Sequence, residues 1–198
     1  MANTGLTIVS SELILGGQKS GKSRRAELLA RDWLAQSTTH RAVFVATAQP
    51  WDEEMRLRIA RHQADRAARV PGMTTVEEPM ALAEKITELS QADTLLVVDC
   101  LTLWLTNWLM PAKPAVQSQG LTTNKIFEPT AMLLDAIAKA PGPVVLVGNE
   151  IGMGVIPMGA EVRGFVDALG QLNQQVAKKC QRVTLMAAGL PLTLKDDS

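Results

Sequence analysis

The sequence predicts an α/β protein in which residues 1–198 form one domain, a mainly parallel sheet flanked by helices. Three observations predict it. Short apolar runs such as Leu13-Ile14-Leu15, Thr94–Val98 and Val144–Gly148 have strand length without polar alternation, as strands buried on both faces do. Segments of helical spacing separate these runs, and strands alternating with helices imply parallel pairing through crossovers. The chain has 198 residues, 46% of them hydrophobic and 20% charged, enough for one core and short for two.

The elements follow in order. Leu13-Ile14-Leu15 ends at Gly16-Gly17, and Ala26, Leu29, Ala30 and Trp33 then recur at i, i+3, i+4 and i+7, giving strand, tight turn and helix. Ala42–Ala46 is a second strand. Asp52–Ala68 reads as a helix with Asp52 as N-cap, Glu53 and Glu54 in its first turn, and Pro71-Gly72 beyond its end. Ala81–Leu89 is helical, Thr94–Val98 is a strand ending in Asp99, and Leu101–Met110 is an apolar helix. Met110–Pro129 carries three prolines and no clear period, so we expect one long loop or crossover. Thr130–Ala140 reads as a helix, Val144–Gly148 as a strand, Ala160–Cys180 as a long helix and Arg182–Ala187 as a last strand. No internal repeat or low-complexity segment interrupts them.

Composition excludes several classes. Twenty Lys and Arg balance twenty Asp and Glu, without the cationic surplus that a general nucleic-acid binder uses against phosphates. With no Tyr, four Trp and three Phe, a base-stacking platform is not expected either. The stretch Met1–Gly17 has no Lys or Arg ahead of its apolar residues and does not read as a secretory signal. No apolar run reaches membrane-spanning length; the longest, Leu95–Met110, is broken by Asp99, Thr102, Thr106 and Asn107. We therefore expect a cytoplasmic protein, with Cys100 and Cys180 as reduced packing residues.

Gly16-Gly17-Gln18-Lys19-Ser20-Gly21-Lys22-Ser23 fits G-x-x-x-x-G-K-[ST] and lies between a strand and a helix, as the phosphate loop requires. Gly16 and Gly21 permit backbone angles that turn successive N–H groups toward phosphate oxygens. Lys22 would reach the β and γ phosphates, the Ser23 hydroxyl would hold Mg²⁺, and the helix N-terminus adds partial positive charge. The bland alternative, a glycine-rich turn matching by accident, does not require the strand and helix flanks. Asp99, at the carboxyl end of a buried strand, is where P-loop proteins keep the acidic group that positions Mg²⁺, although strands also end in Asp as a turn or cap residue.

Of two histidines, His62 lies on the helix from Asp52, stacked with Arg58 and Arg66 by i±4 spacing and beside the apolar Met55 and Ile59. Partial shelter and neighbouring cations would keep its imidazole neutral, hence a nucleophile able to attack the α-phosphorus of a nucleoside triphosphate. The competing reading is a solvated basic face with an incidental His. His40, beside Thr38, Thr39 and Arg41, reads as a surface-loop residue.

These residues resemble a known family, the bifunctional adenosylcobinamide kinase/adenosylcobinamide-phosphate guanylyltransferases of cobalamin biosynthesis. The resemblance spans nearly the whole chain. It rests on Leu15–Ser23, Val45-Ala46-Thr47-Ala48, Asp52–Met55 with Arg58-Ile59 and His62, and Thr75-Val76-Glu77-Glu78-Pro79. Val98–Trp104, Asn149–Pro157 and Ala188-Gly189-Leu190-Pro191 complete it. It implies a RecA-like P-loop NTPase fold and a homotrimer. It also implies phosphorylation of adenosylcobinamide with ATP or GTP, then transfer of GMP from GTP to adenosylcobinamide-phosphate through a guanylylated histidine, mapped onto His62. Nucleotide contacts carry over onto Gly16, Gly17, Gln18, Lys19, Ser20, Gly21, Lys22, Ser23, Ala46, Thr47, Ala48, Gln63, Ala64, Asp65, Arg66, Glu77 and Asp99, with Ser23 and Asp99 as the Mg²⁺ ligands.

Two positions depart from the pattern. Lys19 stands where the family usually has Arg and lacks its planar fork. Met73 replaces a common Trp and packs more loosely. Asn149–Pro157 follows a buried strand at the carboxyl edge of the sheet, where open α/β folds bind ligands, and Gly152 and Gly154 allow close backbone approach. We expect it in the active-site rim on the corrinoid side, against the plainer reading of a strand-to-helix loop. Two other functions compete: a P-loop small-molecule kinase without guanylyl transfer, and a nucleotide-dependent switch. The switch is disfavoured because the chain lacks D-x-x-G after the second strand and N-K-x-D; Asn124-Lys125-Ile126-Phe127 has no Asp.

Overall fold

The computed structural model describes residues 6–50, 52–110 and 124–198. Its strands are β1 (Ser11–Gly16), β2 (Arg41–Ala46), β3 (Met73–Glu77), β4 (Thr94–Asp99), β5 (Val144–Val147), β6 (Arg182–Ala187) and β7 (Leu190–Asp196). Its helices are α1 (Lys22–Gln36), α2 (Glu53–Arg69), α3 (Leu82–Leu89), α4 (Leu101–Leu109), α5 (Asn124–Lys139) and α6 (Ala160–Lys179). All seven strands join one sheet in the order β3-β2-β4-β5-β1-β6-β7, parallel except for the antiparallel β6–β7 pair.

The apolar runs are buried on both faces because alternate side chains enter two cores. Leu13 and Leu15 of β1, Leu96 and Val98 of β4 and Leu146 of β5 pack with Ile86 of α3, Trp104 of α4, Leu133 of α5 and Leu172 of α6. Ile14, Leu95, Val97 and Val145 face the other way, onto Ala26, Leu29 and Ala30 of α1. Asp52 caps α2 as expected, accepting from Met55 N at 2.7 Å.

Three expectations change. The segment from Met110 is not loop as far as Pro129: α5 begins at Asn124 and contains Pro129, while residues 111–123 lie outside the described residues. Proline removes one helical hydrogen bond and is least costly near a helix start. Pro129 is the sixth residue of α5, past the first turn, and the buried Leu133, Ala136 and Ile137 that follow it anchor the helix against the loss. β3, a half-exposed edge strand with two consecutive threonines, has no apolar run to announce it. β7 is likewise absent from the sequence expectation, although Leu190, Leu192 and Leu194 alternate with Pro191, Thr193 and Lys195. Ala188 and Gly189, at φ 51° and 81°, form the two-residue turn that joins β6 to β7; positive φ at both central residues matches the twist of a hairpin.

Candidate active site

β1 and β4 are separated by β5, and their carboxyl ends lie level: Ile14 and Asp99 both pair with Val147. Two strand spacings, about 10 Å, thus separate the phosphate loop's strand from the Asp99 strand. The first turn of α1 bridges them, with the Ser23 hydroxyl donating to Asp99 Oδ2 at 2.6 Å. Burial pushes the Asp99 carboxyl above its ordinary range, opposed by the Ser23 hydrogen bond and the charges of Lys22 and Arg66.

Gly16 begins the loop at φ +150°, and a Cβ there would lie 2.4 Å from Met186 O and 2.6 Å from Ser20 Oγ. Gly21 caps α1 at φ +103°, a left-handed angle that side chains disfavour. Lys19, exposed and at φ +57°, adopts the left-handed region without being glycine. Lys22 is buried with Nζ donating to Gly17 O at 2.6 Å, and burial lowers its pKa against the pull of Asp99 and Cys100. Ser20 Oγ is buried with no hydrogen bond among the described residues, an orphaned donor inside a loop built for phosphate. Gly17 and Gln18 are exposed.

The hydroxyl and carboxylate of Ser23 and Asp99 are hard oxygen donors of the kind Mg²⁺ takes. Among the described residues no group of three or more His, Cys, Asp or Glu could cage a metal. A cation here would complete its shell with phosphate oxygens and water, as Mg²⁺ characteristically does.

Ala46, Thr47 and Ala48 lie at the end of β2 and just beyond it. Thr47 faces inward: its hydroxyl donates to Cys100 O at 2.7 Å and accepts from Cys100 N at 2.8 Å, and its N–H donates to Asp99 O at 3.2 Å. The Asp99–Cys100 peptide is cis. Ala46 and Ala48 are half-buried and line this edge.

Helix α2 meets the body mainly through its last turns. Arg66 is buried, its guanidinium 3.6 Å from the centroid of the Phe44 ring, with Nη2 donating to Thr75 Oγ1 at 3.2 Å. Burial weighs against the Arg66 charge, while Glu27 and Asp99 support it. Gln63 is half-buried and donates to Glu77 Oε1 at 3.4 Å; Ala64 and Asp65 are exposed. His62 is exposed, not half-sheltered, so it does not share a face with Arg66 as expected; the Arg58 side chain lies outside the described residues. Residues 62 and 66 differ by about 40° around the helix, enough for Arg66 to enter the core while His62 stays outside. His40, by contrast, is no free loop residue: its ring stacks on Trp33 at 3.7 Å and Nδ1 lies 2.8 Å from Trp33 O.

A family model described as "Cobinamide kinase / cobinamide phosphate guanyltransferase" matches residues 12–194. The chain belongs to this family. It is 44% identical over 187 residues to the "Bifunctional adenosylcobalamin biosynthesis protein CobP" of Pseudomonas aeruginosa, covering 94% of this chain and 98% of that protein. The corresponding CobU protein of Escherichia coli is 33% identical over 190 residues, covering 92% and 98%. Among solved structures the fold resembles an ATPase domain (TM-score 0.53, 12% identity, 96% of this chain and 78% of that one). It also resembles the flagellar accessory protein FlaH of Methanocaldococcus jannaschii (TM-score 0.51, 11% identity, 98% and 82%). The RecA-like P-loop NTPase architecture expected from the sequence is the one observed.

Further residues shape the site of this cobinamide kinase / cobinamide phosphate guanyltransferase family member, and of these Asn107 does not stand out in the sequence as a site residue. The Ala188-Gly189 turn leans on the phosphate loop, with Gly189 N donating to Ser20 O at 3.0 Å. Asn107, buried on α4, donates through Nδ2 to Thr47 O at 2.9 Å and Pro79 O at 3.0 Å, joining the segments after β2 and β3. A lone Asn inside an apolar helix is the available signal. Glu150 N donates to Gly16 O at 3.1 Å, which sets the start of the Asn149–Pro157 segment against the phosphate loop, while residues 151–156 are exposed.

Proposed function

We propose that this protein, as a single domain, phosphorylates adenosylcobinamide with ATP or GTP and then transfers GMP from GTP to adenosylcobinamide-phosphate, giving adenosylcobinamide-GDP and pyrophosphate. The observation that carries the reading is an accessible histidine on a helix whose last turn is tied, through Arg69 and Glu27, to the helix that begins at the phosphate loop. The family description and the names of the two relatives support both reactions.

In the transfer, a ring-nitrogen lone pair of the His62 imidazole attacks the α-phosphorus of GTP; the N–P bond forms, the bond to the β-phosphate oxygen breaks and pyrophosphate leaves. A phosphate oxygen of adenosylcobinamide-phosphate then attacks the same phosphorus and the N–P bond breaks. Gly16 to Ser23, with Ala46, Thr47, Ala48, Gln63, Ala64, Asp65, Arg66, Glu77 and Asp99, form the nucleotide-binding surface. Ser23 and Asp99 would hold Mg²⁺, which supplies charge neutralisation on the phosphates. The protein works in the cytoplasm as a homotrimer.

The test is incubation with Mg²⁺ and either [α-³²P]GTP or [γ-³²P]GTP, followed by denaturation, for wild type and His62→Ala. Label from the α position only, acid-labile, base-stable and lost in His62→Ala, is the expected result. Absence of covalent label, or label unchanged in the variant, would leave a P-loop kinase without guanylyl transfer.

A further inference from the structure

We propose that Glu150 is the general base of the phosphorylation step, accepting the proton of the acceptor hydroxyl as its oxygen attacks the γ-phosphorus. The inference rests on the phosphorylation reading above. In that step the hydroxyl oxygen bonds to the γ-phosphorus and the bond from that phosphorus to the β–γ bridging oxygen breaks. Its electron pair leaves with the nucleoside diphosphate, and the hydroxyl proton passes to Glu150 Oε2. No other co-reactant is needed.

Topology places Glu150 there. β5 is the strand between β1 and β4, so the residues just beyond Val147 emerge between the phosphate loop and Asp99. The contact is direct, since Glu150 N donates to Gly16 O at 3.1 Å. The other carboxylates at this edge are distant or already engaged. Glu77 ends β3, four strand spacings from β1, or about 19 Å. Glu78 Oε1 accepts from Met80 N and Ala81 N at the start of α3. Asp99 holds the Ser23 hydroxyl beside Lys22.

Glu150 is also held in place. The preceding residue is pinned from both sides: Asn149 N donates to Thr102 Oγ1 at 2.9 Å, and Asn149 O accepts from the buried Asn173 Nδ2 at 3.0 Å. The carboxylate is fixed through one oxygen, with Gly152 N donating to Oε1 at 2.9 Å. Oε2 makes no hydrogen bond among the described residues and is available to a substrate hydroxyl. A half-buried carboxylate oriented by its own loop, with one oxygen open, is the arrangement proton abstraction requires. Gly152 belongs to it, because a Cβ there would lie 3.2 Å from Glu150 Oε1 and press the carboxylate aside.

Guanylyl transfer uses a phosphate oxygen as acceptor and has no hydroxyl proton to remove, so the two half-reactions separate a base from a residue that merely supports the loop. The experiment measures phosphate transfer from [γ-³²P]ATP to adenosylcobinamide, and GMP transfer from GTP to preformed adenosylcobinamide-phosphate, for wild type, Glu150→Gln and Gly152→Ala. Phosphorylation by wild type verifies the underlying reading; its absence removes that reading and this inference with it. For Glu150→Gln the expected result is a fall of about 100-fold or more in the phosphorylation kcat, with the KM for ATP within about threefold and GMP transfer within about threefold. A smaller fall in phosphorylation, or a parallel fall in both reactions, overturns the assignment. If Glu150→Gln does not fold, Gly152→Ala decides: a loss confined to phosphorylation supports it, and an equal loss or none overturns it.

Discussion

Arg69, in the last turn of α2, meets both carboxylate oxygens of Glu27 on α1: Nη2 donates to Oε1 at 2.9 Å, and Nε lies 2.7 Å from Oε2, close but less well aligned. Glu27 stands one helical turn after Ser23 and its side chain is only 4% exposed. The helix that carries His62 is thereby tied to the helix that begins at the phosphate loop, and the Arg66–Phe44 stack ties the same turns to β2. Glu27→Gln removes the charge from this junction. We expect it to lower unfolding free energy by about 1.5–3 kcal/mol and to reduce α-phosphate labelling of His62 more than nucleotide binding. Denaturant melts, the labelling assay and nucleotide titration check it; full labelling at normal rate would refute the link.

Asp99 carries a cost that depends on pH. Burial raises its carboxyl pKa despite the Ser23 hydrogen bond and the charges of Lys22 and Arg66. A carboxyl with a raised folded-state pKa stabilises the protein at low pH, and that contribution is lost as pH rises through the folded value. Asp99→Asn should therefore be no less stable than wild type at pH 7 without nucleotide, the difference growing as pH rises through the Asp99 pKa and vanishing below the ordinary carboxylate range. The same variant should lose Mg²⁺-dependent turnover. Thermal melts across pH, paired with the phosphorylation assay, check both halves, and clear destabilisation at pH 7 would contradict this account.

Asn107 predicts a different balance. Its amide is the joint between Thr47 O and Pro79 O, and Trp104 Nε1 holds the adjacent Met80 O at 2.9 Å. Replacing it by the similarly sized Leu leaves two carbonyls without that donor, at a cost of about 1–3 kcal/mol. Because Thr47 and Pro79 follow the strands that carry Ala46 and Glu77, we expect the KM for GTP to rise while kcat for phosphorylation changes little. A loss of stability with an unchanged KM would make Asn107 structural only.

The phosphate loop was legible because its chemistry is written in consecutive residues: two glycines, a lysine and a serine at fixed spacing between a strand and a helix. Asp99 was legible for a similar reason, an abrupt carboxylate after an apolar run. The surroundings of His62 were not. Helical spacing grouped it with Arg66, but a helix docked chiefly by its final turns buries one of the two and exposes the other. β3 and β7 are edge strands, and an edge strand needs less apolar surface than a central one, so β3 lacked any run and β7 carried its leucines on an exposed face. Their places in the sheet depend on the strands beside them.

Local patterns thus sufficed for the class of fold, the phosphate loop, the cap at Asp52 and the family resemblance, because each depends on residues near one another in the chain. Tertiary structure alone decided that β5 separates β1 from β4, that Ser23 meets Asp99 across 76 positions, that Glu27 anchors the His62 helix and that Glu150 emerges beside Gly16. These contacts arise from the order in which strands pair, and that order is set by burying both faces of one sheet at once, a condition the whole chain must satisfy together.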